Sequence, residues 1–165
     1  MEFEVIQGDI AAQQADALVN AAGTSLEMGS GVAGALRRGA GDDINREAVS
    51  QGPIDLGRVA VTDAYDLDAE HVIHAAAMPH YGDGEATPES IRDATRNALE
   101  RADELGCESL VLPALGCGVA GFALRDGATI IADYTPESLA DVRLIGYSDD
   151  EVAVIREAAS EARGG

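Results

Sequence analysis

The sequence predicts a single α/β domain in three layers, α/β/α, with helices on both faces of a mostly parallel central sheet. Apolar segments of strand length alternate with segments of helical periodicity along the chain, which is typical of βαβ units. Two glycine-rich stretches each follow an apolar strand segment and precede a helix. The chain contains no linker or internal repeat, so its 165 residues are expected to form one domain, 1–165.

Short apolar runs bounded by breaker residues predict the strands, and periodic segments that follow capping residues predict the helices. The predicted strands cover residues 3–7, 17–22, 59–62, 71–77, 109–113 and 142–146. The predicted helices cover residues 32–39, 43–50, 88–105, 123–133 and 149–162.

Three of the helix starts carry capping signals. Asp42 occupies an N-cap position before the second helix, and Thr87 precedes a proline at the first position of the third. Ser148 and Glu151 spell the Ser-x-x-Glu capping box before the last helix.

The chain is strongly acidic: 30 Asp and Glu residues oppose 11 basic residues, for a net charge of −19. All basic residues are Arg, because the sequence contains no Lys. An acidic surface repels nucleic acid and anionic membranes at ordinary salt, so nucleic acid is not an expected partner. High acidity without Lys, with few aromatic residues, resembles proteins of extreme halophiles. A moderately acidic protein of any origin is the alternative.

The remaining composition indicates a cytoplasmic protein. No apolar run approaches the roughly 18 residues of a membrane span, and no secretory signal pattern opens the chain. Cys107 and Cys117 make no disulfide framework, and His71, His74 and His80 lack zinc-ligand spacing with them. We therefore expect no membrane span, no metal site and no cofactor.

Two loops share the spelling G-x-G-x-x-G, at residues 29–34 and 116–121. Glycine permits positive φ and close backbone approach, while loop amides and a helix N-terminus attract an anion. Without Lys, the backbone amides would carry this interaction. Two such loops at strand ends suggest a clamp on both sides of one diphosphate. The alternative is that both are tight turns that use glycine for geometry alone.

Two other nucleotide-binding patterns do not fit. A Rossmann fingerprint requires an acidic residue about 20 positions after its glycines, at the tip of the second strand. Asp55 lies near that distance but in a loop flanked by Pro and Gly, and no second domain is available for a substrate. The P-loop motif requires a Lys, which the chain lacks.

Five motifs, in order and spacing, resemble the macro domain family. They are Gly8-Asp9-Ile10, Val19-Asn20-Ala21-Ala22, residues 28–36 (MGSGVAGAL), Val72-Ile73-His74-Ala75 and residues 112–122 (LPALGCGVAGF). The resemblance covers about residues 3–159 and points to the type that binds ADP-ribose or processes ADP-ribose 1″-phosphate, in an archaeal halophilic form. It implies a mixed sheet between helices, with ADP-ribose or ADP-ribosylated molecules as partners.

The resemblance also implies a role for each motif. Asp9 would accept a hydrogen bond from the adenine amino group, with the Ile10 amide beside it, and its alternative role is to cap the following turn. The two glycine loops would wrap the diphosphate and distal ribose, Phe122 would line that ribose, and Tyr147 would pack against adenine. The ligand-binding candidates are Asp9, Ile10, Asn20, Gly23, Met28, Gly29, Ser30, Gly31, Val32, Ala33, Ala114, Leu115, Gly116, Cys117, Gly118, Val119, Ala120, Gly121, Phe122 and Tyr147.

One departure from the family concerns catalysis. Many hydrolytic members read Asn-Ala-Ala-Asn, and this chain has Gly23 at the last position, where no side chain can orient water or ribose. Asn20 and Gly31 are the candidates considered for a catalytic role, and no catalytic residue is assigned. Asn20 is expected to tie neighbouring loops together and His74 to be a core histidine. The branch of the family that uses a catalytic Lys is excluded, because the chain has no Lys. The zinc-dependent branch is disfavoured, because the sequence shows no cluster of zinc ligands.

Three classes of function follow from these observations. In the first class, which the resemblance implies, the chain would bind ADP-ribose, free or protein-linked, without fast chemistry. Alternatively it hydrolyses O-acetyl-ADP-ribose, ADP-ribose 1″-phosphate or ADP-ribosyl esters with a water activated by the ligand's own phosphate. The third class is a non-catalytic acidic interaction domain whose glycine loops are only structural. RNA binding is opposed by the net charge, and the sequence assigns no oligomeric state.

Overall fold

The computed structural model describes residues 2–29, 31–79, 86–113, 115, 129 and 138–162. Within them the chain forms six β-strands and four α-helices, and a short 3-10 turn, Ile10–Ala12, follows the first strand. In chain order these are β1 Glu2–Gln7, β2 Ala17–Gly23, α1 Gly31–Ala40, α2 Asp43–Gln51, β3 Val59–Asp63, β4 His71–Met78, α3 Pro88–Glu104, β5 Ser109–Pro113, β6 Asp141–Gly146 and α4 Asp149–Ala162.

The six strands form one mixed sheet in the order β1-β6-β5-β2-β4-β3. All neighbouring strands are parallel except β3, which pairs antiparallel with β4 at one edge. β2 lies inside the sheet between β5 and β4, and its residues 17–20 are all buried. A strand buried on both faces reads as a nearly continuous apolar run, which is why ALVNAA was recognisable as a strand.

Helices cover both faces of this sheet, which confirms the predicted three-layer architecture. Successive residues of β2 point to opposite faces, so Leu18 and Val19 enter different cores. Leu18 packs in the core that α1 and α2 cover, together with Leu36. Val19 packs in the core that α3 and α4 cover, together with Leu99. No helix in these described ranges is both long and apolar enough to cross a membrane.

The predicted boundaries agree with the structure to within one residue at every described strand and helix. The agreement follows from the clear alternation of apolar runs and breakers, which local sequence encodes directly. Of the predicted helix at 123–133, only residue 129 lies within the described residues, and it is helical.

The helix caps agree with the sequence in one case and not in another. Thr87 Oγ1 accepts from Ser90 N at 3.0 Å, and Ser90 Oγ accepts from Thr87 N at 2.9 Å, which confirms Thr87 as the N-cap. Asp42 occupies the predicted N-cap position of α2, but its side chain does not cap the helix. Its carboxylate makes no capping bond and instead accepts from Arg37 Nε at 3.0 Å, because α1 brings an arginine within reach.

Candidate functional site

A cleft of about 420 Å³ opens at the carboxyl ends of the parallel strands. Its lining combines the end of β1, the 3-10 turn, one side of α1, the ends of β5 and β6, and the start of α4. The lining residues are Gly8, Asp9, Ile10, Gly31, Val32, Ala35, Arg38, Pro113, Ile145, Gly146, Tyr147 and Glu151. Open parallel sheets place their ligands at this edge. Five of the ligand-binding candidates meet here: Asp9, Ile10, Gly31, Val32 and Tyr147.

Asp9 is exposed in the cleft and is the N-cap of the 3-10 turn. Its Oδ1 accepts from Ala11 N at 2.9 Å, and Gln13 Nε2 donates to the Asp9 main-chain oxygen at 3.2 Å. Within the described part of the chain, Oδ2 has no hydrogen-bond partner. The two roles considered from the sequence are therefore compatible, since one oxygen caps the turn and the other is open to a donor.

Two side chains fix the backbone of Met28, the residue just before the first glycine loop. Met28 N donates to Asn45 Oδ1 at 2.8 Å, and Arg37 Nη1 donates to Met28 O at 3.4 Å. Gly31 begins α1 with a φ of +60°, a conformation that favours glycine. The Met28 and Ala33 side chains are buried in the core. These two candidates can therefore reach a ligand only through their backbones.

Tyr147 stands at the rim of the cleft with 77% of its surface exposed. Its backbone is fixed on both sides: Tyr147 N donates to Glu151 Oε2 at 3.3 Å, and Gln7 Nε2 donates to Tyr147 O at 3.5 Å. Ser148 Oγ accepts from Glu151 N at 3.1 Å, which confirms one half of the predicted capping box. The other half is wrong, because Glu151 takes the amide of Tyr147 rather than that of Ser148.

Asn20 lies in the core and does not line this cleft. Its Nδ2 is 3.0 Å from His74 Nδ1, and His74 Nε2 is 2.9 Å from Thr62 Oγ1. All three side chains are buried, and Asn20 Oδ1 has no hydrogen-bond partner among the described residues. The expectation that His74 is a core histidine is confirmed. Asn20 is structural, but it joins β2 to β4 rather than tying loops together as the sequence suggested.

This network fixes the protonation of His74. Thr62 Oγ1 donates to Asp63 O at 3.0 Å, so the same hydroxyl accepts from His74 Nε2–H. His74 Nδ1 then accepts from the Asn20 amide. Burial lowers the pKa of His74 to about 4, which keeps the ring neutral at pH 7.

The other candidates lie beside the cleft or outside the described residues. Gly29 is exposed just before α1. Gly23 ends β2, and its carbonyl accepts from Leu26 N at 3.1 Å. Leu115 is buried just beyond β5. Nine candidates lie outside the described residues: Ser30, Ala114, Gly116, Cys117, Gly118, Val119, Ala120, Gly121 and Phe122.

Sequence reasoning missed several residues that line the cleft. Arg38 joins Gly31 and Ala35 on one side of α1, and Glu151 comes from the first turn of α4. The spacing of 31, 35 and 38 places them on one helix face, so this signal was present in the sequence. Glu151 was assigned only to a cap, because the position of α4 over the cleft depends on tertiary packing.

A second depression, of about 640 Å³, adjoins residues 27–29 from the side of α2. Its two arginines are already paired, Arg37 with Asp42 and Arg46 with Asp43. Only two of the ligand-binding candidates, Met28 and Gly29, line this depression, whereas five line the cleft at the strand ends. The cleft is therefore the candidate site. Among the residues placed by the structure, no group of three or more His, Cys, Asp or Glu is arranged to hold a metal ion.

Gly146 leaves no room for a side chain where β6 meets α4. An added Cβ would lie 2.8 Å from Val152 Cγ2 and 3.1 Å from Ile155 Cδ1. We expect Gly146→Ala to lower the free energy of unfolding by about 2 kcal/mol, because overpacking displaces α4. Urea unfolding measures this loss. Gly29→Ala is the matched control, since a Cβ there meets no atom of the described residues within 4 Å, and equal losses in both variants would contradict the explanation.

Sequence comparison finds full-length relatives and a family model. The model described as Macro domain matches residues 19–131. An uncharacterized protein of Saccharolobus solfataricus is 38% identical over 165 residues, which covers 94% of this chain and 91% of the relative. An uncharacterized protein of Mycobacterium tuberculosis is 45% identical over 131 residues, which covers 79% of this chain but 36% of the relative. The chain therefore spans little more than a third of that mycobacterial protein.

Solved structures agree with the fold. The Trypanosoma brucei macrodomain in complex with ADP-ribose has a TM-score of 0.83 at 25% identity, covering 94% of this chain and 68% of that one. A mutant of the Oceanobacillus iheyensis macrodomain with ADPR has a TM-score of 0.82 at 23% identity, covering 96% and 92% of the two chains. The family model, which matches more than half of the chain, and the arrangement of the sheet agree that the chain belongs to the macro domain family.

Proposed function

We propose that this macro domain binds ADP-ribose, free or protein-linked, in the cleft at the strand ends. The observation that carries the proposal is the position of Asp9. Its carboxylate stands in the same cleft as the first turn of α1, so an acceptor for an adenine amine and a backbone site for phosphate share one cavity. The Trypanosoma brucei macrodomain, whose structure contains ADP-ribose, supports the choice of ligand.

The proposed binding mode follows the order of groups along the cleft. Asp9 Oδ2 accepts from the adenine amino group, and the Tyr147 ring covers the base from the rim. The glycine loop and the N-terminus of α1 direct amides toward the diphosphate. The resemblance to the family assigns the distal ribose to the second glycine loop, which lies outside the described residues. A backbone clamp suits a chain without Lys, because amides and a helix dipole supply positive potential without a mobile charge.

The contacts of Asn20 favour recognition over chemistry that depends on that side chain. Its amide is engaged by His74 inside the sheet, and Gly23 has no side chain to place a water. Hydrolysis of O-acetyl-ADP-ribose, ADP-ribose 1″-phosphate or ADP-ribosyl esters would then rely on a water activated by the ligand's own phosphate. We propose binding as the primary function and treat turnover as a separate outcome of the test.

Calorimetric titration of ADP-ribose into the folded protein in molar KCl tests the proposal. We expect saturable 1:1 binding, and at least about tenfold weaker binding of the guanine counterpart, since guanine presents a carbonyl to Asp9. Product analysis after incubation with O-acetyl-ADP-ribose separates a binding domain from a hydrolase. Absence of heat in a sample shown to be folded by circular dichroism would reject the proposal and favour an acidic interaction domain.

A further inference from the structure

Arg38 brings a positive charge into the proposed ligand cleft. It lies on the same side of α1 as Gly31 and Ala35, about two turns beyond the start of the helix. Long side chains on a helix lean toward its N-terminus, and Arg38 follows this rule. Its Nη1 lies 3.3 Å from the point where a Cβ on Gly34 would be, and Gly29 O lies 3.5 Å from that same point. The guanidinium therefore lies back along α1 toward the glycine loop.

Among the residues that the structure describes, no carboxylate neutralises the charge of Arg38. Five other arginines pair with acidic residues within 4.0 Å: Arg37, Arg46, Arg96, Arg101 and Arg143. Arg38 makes no such pair within the described ranges, although the Asp9 and Glu151 carboxylates line the same cleft. What distinguishes Arg38 is its position, since it is the arginine that lines this cleft in a chain with a net charge of −19.

We infer that Arg38 binds the diphosphate of the nucleotide from the α1 side of the cleft. The inference rests on the proposed function and adds a side-chain charge to the backbone clamp. A guanidinium donates several hydrogen bonds in a fixed plane, which matches phosphate oxygens. Gly34 has a role in this arrangement, because it leaves the space along α1 that the guanidinium occupies. The site is thereby selective for nucleoside diphosphate esters over uncharged nucleosides.

The inference predicts a charge-dependent loss of affinity. We expect Arg38→Gln to weaken ADP-ribose binding about tenfold, as removal of one charged hydrogen-bonding group does, while Arg38→Lys recovers part of the affinity. Arg101→Gln is the matched control, since it makes the same change of charge on α3, outside the cleft, and should leave the affinity unchanged. Calorimetric titrations of the four proteins measure the difference.

The outcomes separate this inference from the proposed function. If the wild-type protein does not bind ADP-ribose, the proposed function itself fails. If the wild-type protein binds and Arg38→Gln binds equally well, only the role of Arg38 is overturned. Equal losses in Arg38→Gln and Arg101→Gln would also overturn it, because they would reveal a general effect of net charge. Raising KCl should weaken binding less in Arg38→Gln than in the wild type, since screening acts on the lost contact.

Discussion

Replacing Asp9 with alanine is expected to weaken ADP-ribose binding about thirtyfold. A hydrogen bond to a charged group contributes roughly 2 kcal/mol, and about 1.4 kcal/mol corresponds to a factor of ten in affinity. The same variant should lose its preference for adenine over guanine, because the carboxylate is the group that accepts from the adenine amine. Titration of both nucleotides into the wild type and Asp9→Ala measures the affinity and the preference together.

Asp9 has a second role, and a second variant separates the two. The alanine variant also removes the cap on Ala11 N, which is expected to cost about 1 kcal/mol of local stability. Asp9→Asn keeps an oxygen for that cap but presents an amide donor to the adenine amine. We therefore expect Asp9→Asn to keep the unfolding midpoint of the wild type and still bind ADP-ribose as weakly as Asp9→Ala.

Asp66→Asn controls for the removal of one negative charge, since Asp66 is exposed and does not line the cleft. It should bind ADP-ribose as the wild type does. Normal binding by Asp9→Asn would show that Asp9 acts only through the turn. Equal losses for adenine and guanine nucleotides in Asp9→Ala would lead to the same conclusion.

The sequence predicted the parts of the site in two ways. Gly31 was predictable from its own pattern, because it belongs to a glycine-rich motif that lies between a strand and a helix. Asp9 and Tyr147 were expected from the resemblance to the macro domain family, and the sequence shows only that each lies just beyond the end of a strand. In a parallel sheet the carboxyl ends of strands share one edge, so residues that are distant in sequence could be expected to meet there.

The parts that were missed depend on packing between elements. Whether Arg38 enters the cleft depends on the rotation of α1 against the 3-10 turn, and a single sequence gives only the face, not its direction. The Asp42 cap failed because Arg37, five residues earlier on α1, takes the carboxylate. The sequence does not indicate which residue the Asn20 amide contacts, because its pairing with His74 is set by the register of β2 against β4.

The buried histidine gives a stability prediction of similar size. His74 has a pKa of about 4 in the folded chain because of burial, against 6.5 for an ordinary histidine. Between these values the unfolded chain binds a proton that the folded chain does not, so stability falls as pH decreases. The difference corresponds to about 3 kcal/mol of stability that is present above pH 6.5 and lost by pH 4.

A pair of histidine variants isolates this contribution from the titration of the many carboxylates. Urea unfolding gives the free energy of unfolding at each pH. Between pH 7 and pH 4 this free energy should fall by about 3 kcal/mol more in the wild type than in His74→Gln, because Gln carries no titrating proton. His71→Gln removes a histidine from the start of the same strand and is the matched control. Parallel pH curves for the wild type and His74→Gln would contradict the prediction. If His74→Gln does not fold, the ring resonances of wild-type His74 give the same answer, since they should remain those of a neutral imidazole down to about pH 5.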